Sequence, residues 1–107
     1  MSTKPEQTKL AGRLNRMSIS KEDAVERARR DLAQRLNVDA SDIQEKSVED
    51  DEFPDMALGA PEDGEMSGQM MTDGWRIRLA AGGKTFEYRA DKNQVRLYKY
   101  QGRNYRI

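Results

Sequence analysis

The stretch Phe53-Pro54-Asp55-Met56-Ala57-Leu58-Gly59-Ala60-Pro61-Glu62-Asp63-Gly64 limits what this chain can fold into more than any other. Its two prolines and two glycines exclude a regular helix or strand there, because proline lacks the ladder donor and glycine is costly to order. Three large apolar side chains, Phe53, Met56 and Leu58, are more than a solvated loop usually carries. The reading is an ordered loop pinned to a core by those three residues. It separates a helix-forming first half from a strand-forming second half.

In the first half, Ser20 followed by Lys21-Glu22-Asp23 has the form of a capping box, and Ile19 and Ala24 stand where a hydrophobic staple would put them. Val25, Ala28, Leu32 and Leu36, with Ala24 and Ala33 beside them, trace one narrow stripe at helical spacing. Asn37 is a left-handed stop, with Val38 folding back on the last turn. The spacing predicts a helix over about 21–36 whose alanine-rich face approaches a sheet closely. Arg27, Arg29, Arg30 and Arg35 each have a carboxylate three or four residues away, the pattern of a self-paired, solvated surface. Upstream, Leu10, Leu14 and Met17 with Lys9, Arg13 and Arg16 could make a short amphipathic turn suited to an anionic surface or a partner groove. Gly12, Asn15 and the shortness of the segment weigh against it, so residues 1–18 read as a flexible leader and 19–107 as a single small domain.

Beyond Asn37, Asp39 to Asp42 reads as a turn and Ile43 to Val48 as a strand fading into Glu49-Asp50-Asp51-Glu52. Four adjacent carboxylates suit an exposed sheet edge, where they deter pairing with another edge. With Asp55, Glu62, Asp63 and Glu65 they could also supply oxygens to a cation, but the D-x-[DN]-x-[DN]-G spacing is missing and no metal site is expected. Met66 to Met71 is a weak strand candidate and Thr72-Asp73-Gly74 a turn. Trp75, Ile77 and Leu79 then alternate with Arg76 and Arg78, and after the Gly82-Gly83 hairpin signal Phe86, Tyr88 and Ala90 alternate with Thr85, Glu87 and Arg89. Asp91 to Gln94 reads as a second turn. Val95 and Leu97 begin a last strand that places Arg96, Tyr98 and Tyr100 together on its solvent side, and residues 101–107 show no period. The fold class expected is α+β, with one helix across one face of a three- to five-stranded antiparallel sheet.

Leu, Ile, Val and Phe number 17 of 107 residues, which predicts a small core, marginal stability, and a monomer or weak homodimer. The chain has 19 basic and 19 acidic residues, yet residues 1–38 carry nine basic and five acidic, 39–73 one and twelve, and 74–107 nine and two. Compensation between the acidic middle and the basic end within the fold is the reading preferred over two faces for oppositely charged partners. No stretch is apolar for the length of a membrane span, and no apolar run follows Met1. The chain as given therefore reads as cytoplasmic, or as exported if a signal has already been removed. Absence of cysteine and histidine removes disulfides, thiol chemistry, Cys/His zinc sites and the usual general base.

Ala28 to Leu36, Ile43, Phe53 to Gly64, Asp73-Gly74-Trp75-Arg76-Ile77-Arg78-Leu79 and Phe86-Glu87-Tyr88-Arg89-Ala90-Asp91 resemble a family of small uncharacterised bacterial proteins, often exported. That family carries W-P-D-x-x-L-G-C-P-x-P-G, then P-G-[YW]-x-I-x-L and Y-x-Y-x-[TA]-D. Here Phe53 replaces the tryptophan, Glu62-Asp63 replaces x-P, and Ala60 replaces the cysteine, so a disulfide is absent from the loop and a looser loop is expected. The helix followed by antiparallel strands is also similar to the cystatin-like and PepSY-like arrangement, whose members mostly bind or inhibit peptidases or act as modules on larger proteins. A fold does not fix a function.

The serines have no histidine to activate them, no phosphate-binding glycine motif is present and no cleft is signalled, so neither an enzyme nor a bound cofactor is expected. The function expected is a non-enzymatic protein-binding or inhibitor-like module. Its candidate contacts are Phe53, Asp55, Met56, Leu58, Glu62 and Asp63 on the acidic loop, with Met66, Met70 and Met71 as adaptable surface. The alternative is nucleic-acid binding through Arg96, Tyr98, Lys99, Tyr100 and Arg103, cations for phosphates interleaved with rings for bases.

Overall fold

The computed structural model describes residues 18–107. The leader expected over residues 1–18, with its possible amphipathic turn, lies outside the described residues except for Ser18.

Helix α1 spans Lys21–Leu36, and both its ends are closed by the residues the spacing implies. Ser20 Oγ accepts from the Asp23 amide at 3.0 Å while the Asp23 carboxylate takes the Ser20 amide, a reciprocal pairing that satisfies two otherwise orphaned donors. At the other end Asn37 is left-handed (φ 57°), its amide bonded to Gln34 and the Val38 amide to Ala33. Those two bonds make a Schellman closure.

A short 3-10 turn, Ala40–Asp42, leads into five strands: β1 (Gln44–Phe53), β2 (Thr72–Ala81), β3 (Lys84–Asp91), β4 (Gln94–Tyr100) and β5 (Arg103–Arg106). They pair in chain order, antiparallel throughout. The domain is therefore α+β, with α1 on one face of the sheet. Ile77, Leu79, Tyr88, Ala90, Val95 and Leu97 meet Ala24, Ala28, Leu32 and Ala33 there, with Ile19 and Ile43 closing the ends. No helix among the described residues is long and apolar enough to cross a membrane.

Four local expectations are corrected. β1 does not fade at Val48 but runs through the acidic stretch to Phe53, because an edge strand leaves Glu49, Asp50 and Glu52 in water. Met66 to Met71 is not a strand. Thr72-Asp73-Gly74 is not a turn but the start of β2, where Gly74 is needed for close approach: a Cβ there would stand 2.2 Å from the Ala90 carbonyl oxygen. The last residues form β5, turned back by Gln101 and Gly102, both at positive φ (53° and 84°).

The other face of the sheet is covered as well. Residues 54–65 lie across it, burying Phe53, Ala57, Leu58 and Ala60 away from the helix-side core. The domain thus has three layers: helix, sheet and loop. Burial of Phe53 and Leu58 contributes roughly 1.5–3 kcal/mol each.

Candidate functional site

The covering loop holds its shape through Asp55. One carboxylate oxygen accepts the Ala57 and Gly59 amides at 2.9 and 3.0 Å, so the chain doubles back through Leu58 (φ 59°) and Gly59 (φ 66°). The Leu58 and Gly59 carbonyls then converge on Arg89 Nη1 at 3.1 and 3.2 Å. Gly59 fits because a Cβ there would stand 2.8 Å from that nitrogen. Gln94 Nε2 donates to the Met56 carbonyl at 2.7 Å, and Arg96 Nη1 to the Ala60 carbonyl at 3.1 Å. Ala60 is buried, and its backbone is held by an arginine.

These arginines belong to one charged network on the sheet. Asp51 binds Arg76, Arg76 binds Glu87, and Glu87 binds Arg89. Arg76 and Arg89 flank the Phe53 ring at 5.5 and 5.4 Å, and Arg89 lies 3.6 Å over Tyr98. Arg96, 1% exposed, grips both oxygens of Glu65 at 2.6 and 2.7 Å. Its hydrogen bond, then that from the Glu62 amide, holds the Glu65 carboxyl down at about 2. Among the described residues, every buried side-chain nitrogen and oxygen has a partner. The acidic middle of the chain and its basic end neutralise each other here, as the charge pattern implies.

The sequence-derived contacts separate accordingly. Phe53 and Leu58 are buried, and Asp55 is committed to the loop backbone. Glu62 accepts the Arg106 amide, and Asp63 sits exposed 3.9 Å from Arg103. Met56 is not an anchor: it is 50% exposed. The basic set expected on one solvent face is also dispersed. Arg96 is buried, Tyr98 is under Arg89, and a bulge at Lys99 (φ 52°) returns Tyr100 to the helix side, 6.1 Å from Phe86. Lys99 and Arg103 remain exposed.

What the loop leaves open is a cleft of about 910 Å³ at one end of the sheet, between the ends of β1 and β2 and the β3–β4 turn. Trp75, Met56, Met70 and Met71 give it apolar wall, and Asp50, Asp73 and Lys92 are among its polar residues. Met70 and Met71 are 65% and 57% exposed. The Met56 amide bonds to the Gly68 carbonyl at 2.9 Å, and its sulfur rests where a Gly68 Cβ would be, 2.6 Å away. That contact fixes the 66–71 segment against the loop. Sequence reasoning reached the methionines; Trp75, which alternation assigned to the core, packs against that core and lines the cleft as well, and the aspartates were missed because only the strand ends bring them together. No group of metal-ligating side chains stands out among the described residues.

A loop that roofs the second face of the sheet and leaves a methionine-lined cleft at its rim defines a small α+β domain of three layers. The chain belongs to the family described as a domain of unknown function, DUF8738, whose model matches residues 25–98. That span runs from within α1 into β4 and includes the loop, Arg89, Arg96 and the cleft's methionines. Among curated proteins and among solved structures, nothing matches the chain.

Proposed function

We propose that this domain is a non-catalytic protein- or peptide-binding module whose contact surface is the methionine-lined cleft. One observation carries the reading: Met56, Met70 and Met71 are each at least half exposed around one concavity of about 910 Å³. Unbranched thioether side chains adapt to varied apolar partners, and exposed apolar surface rimmed by polar groups is a common mark of an interaction site. Asp50 and Asp73 favour a partner that pairs lysine or arginine with a large apolar side chain. The arrangement of one helix on an antiparallel sheet resembles cystatin-like and PepSY-like modules, an analogy of fold that is compatible with a binding role.

The test is a methionine-methyl NMR titration with unstructured peptides that combine lysine or arginine with leucine or phenylalanine. Shifts confined to Met56, Met70 and Met71 are expected, with none from acidic peptides. Unmoved methyls across the whole panel at millimolar peptide contradict the reading.

A further inference from the structure

The two edges of the sheet end differently. At β5 the covering loop closes the edge: the Glu62 carboxylate accepts the Arg106 amide, and Asn104 Nδ2 donates to the Pro61 carbonyl, both at 2.9 Å. At β1 the Glu52 amide turns away from β2 and donates to the carboxylate of its own neighbour, Asp51, at 2.8 Å. An antiparallel ladder alternates inward and outward residues, so the amides and carbonyls of Asp50 and Val48 point away from β2 in the same way. Among the described residues no other strand meets that edge. The helix packs over β2, β3 and β4. Between it and β1 a groove of about 280 Å³ is left, lined by the half-buried Val25 and Val48 and by Lys21, Glu22, Glu26 and Glu45.

Charge decides what such an edge accepts. β1 carries five acidic side chains and one basic, Lys46, so two copies of it repel each other and a basic strand is favoured. We infer that the outer edge of β1 takes up an extended basic peptide as an added antiparallel strand. Val48 packs against the helix-side core and Asp50 pairs with Lys21 of α1, so Val48, Asp50 and Glu52 share the helix side of the strand. The residues directly opposite Glu52, Asp50 and Val48 are then Lys or Arg, Lys or Arg, and Val or Ile, which makes the recognised sequence [KR]-x-[KR]-x-[VI]. This surface goes beyond the methionine-lined cleft and stands without it. Lys21 lines the groove and Asp50 the cleft, and their ion pair at 3.0 Å stands where the two meet.

The experiment titrates the full chain with the blocked peptide Arg-Thr-Lys-Thr-Val-Thr and reads amide hydrogen exchange by NMR. Exchange at Val48 and Asp50 is expected to slow about tenfold when about nine-tenths of the chain is bound, because only the open tenth exchanges. Glu49, already in the ladder to β2, changes far less. N-methylation of the peptide lysine, whose amide faces the Asp50 carbonyl, abolishes the protection, whereas N-methylation of the threonine that follows it preserves the protection. Glu52→Lys, at an exposed position outside the cleft, weakens the peptide severalfold, and a peptide with glutamate for its two basic residues does not bind. Shifts without protection of Val48 and Asp50, or equal loss from the two N-methylated peptides, overturn the strand addition. So does protection that is present without peptide and lost on dilution, which assigns the edge to a second copy. Protected edge amides with unmoved Met56, Met70 and Met71 methyls support the added strand whatever becomes of the cleft. Moved methionine methyls with unprotected edge amides overturn it and leave the cleft reading standing.

Discussion

The Arg96 guanidinium holds both carboxylate oxygens of Glu65, at 2.6 and 2.7 Å, from within a strand where it is 1% exposed. The same guanidinium donates from Nε to Gln94 Oε1 at 2.7 Å, which orients it, and from Nη1 to the Ala60 carbonyl. One side chain thereby joins β4, the covering loop and the segment leading to the cleft.

Removing it should be costly. Arg96→Ala leaves Glu65 and the Ala60 carbonyl without their donor and is expected to destabilise the fold by about 3–5 kcal/mol in urea unfolding. Arg96→Lys recovers only part of that, since an ammonium cannot grip two oxygens in one plane. A loss under about 1 kcal/mol for Arg96→Ala would place the pair among ordinary surface bridges.

Acid should loosen the same face. Glu65 falls from an ordinary 4.5 to about 2 through Arg96, then the Glu62 amide, and Asp51 is lowered by Arg76, then the Glu52 amide. Both folded-state values lie below the unfolded ones, so the stabilisation is fully present above roughly pH 5 and is lost as pH falls from about 4.5 toward 2. Glu65→Gln should make that acid limb shallower in a series of urea midpoints. An unchanged limb contradicts the assignment.

Gly74 offers a backbone test. A methyl at Gly74 meets the Ala90 carbonyl oxygen at 2.2 Å, and the atom in the way is main chain. Gly74→Ala should cost upwards of about 2 kcal/mol, as overpacking does. Gly64 has open space around its Cβ position but φ +79°, and Gly64→Ala should cost only about 1 kcal/mol. Thermal melts of the two variants separate these causes, and equal losses would contradict the close approach.

Tyr88 donates to Asp31 at 2.7 Å beneath α1. Burial, then that bond to a carboxylate, pushes its hydroxyl well above the ordinary tyrosine value. Ultraviolet titration should show a phase that appears only as the fold opens in alkali, and Tyr88→Phe should delete it at a stability cost of about 1 kcal/mol. Ionisation of Tyr88 within the folded state contradicts the contact.

The helix was legible in the sequence because its information is local: Ser20, Asp23 and Asn37 act within a turn of where they stand. So was the alternation of Ile77 and Leu79 with arginines, and the Gly82-Gly83 reversal. The second face was not. Arg76, Arg89 and Arg96 sit where an antiparallel strand ordinarily meets water, and nothing near them in sequence says that Asp51 or Glu65 arrives from another element to pair with them. Gly74 carries the same residue type for a turn and for a close approach, and the strand needed the second. A single left-handed residue, Lys99, moved Tyr100 to the opposite side. Of the candidate site, the methionine composition pointed to the surface, but its concavity depends on how the ends of β1, β2 and the β3–β4 turn meet.

The account rests on a sheet covered on both faces, with Met66, Met70 and Met71 left outside. A soluble paramagnetic relaxation agent read through methyl NMR tests that directly. The Leu58, Ala57 and Ala60 methyls should be as protected as those of Leu32 and Leu97, while Met66, Met70 and Met71 relax strongly. If Leu58 and Ala60 relax like Met66, the loop does not cover the sheet and the three-layer fold is wrong.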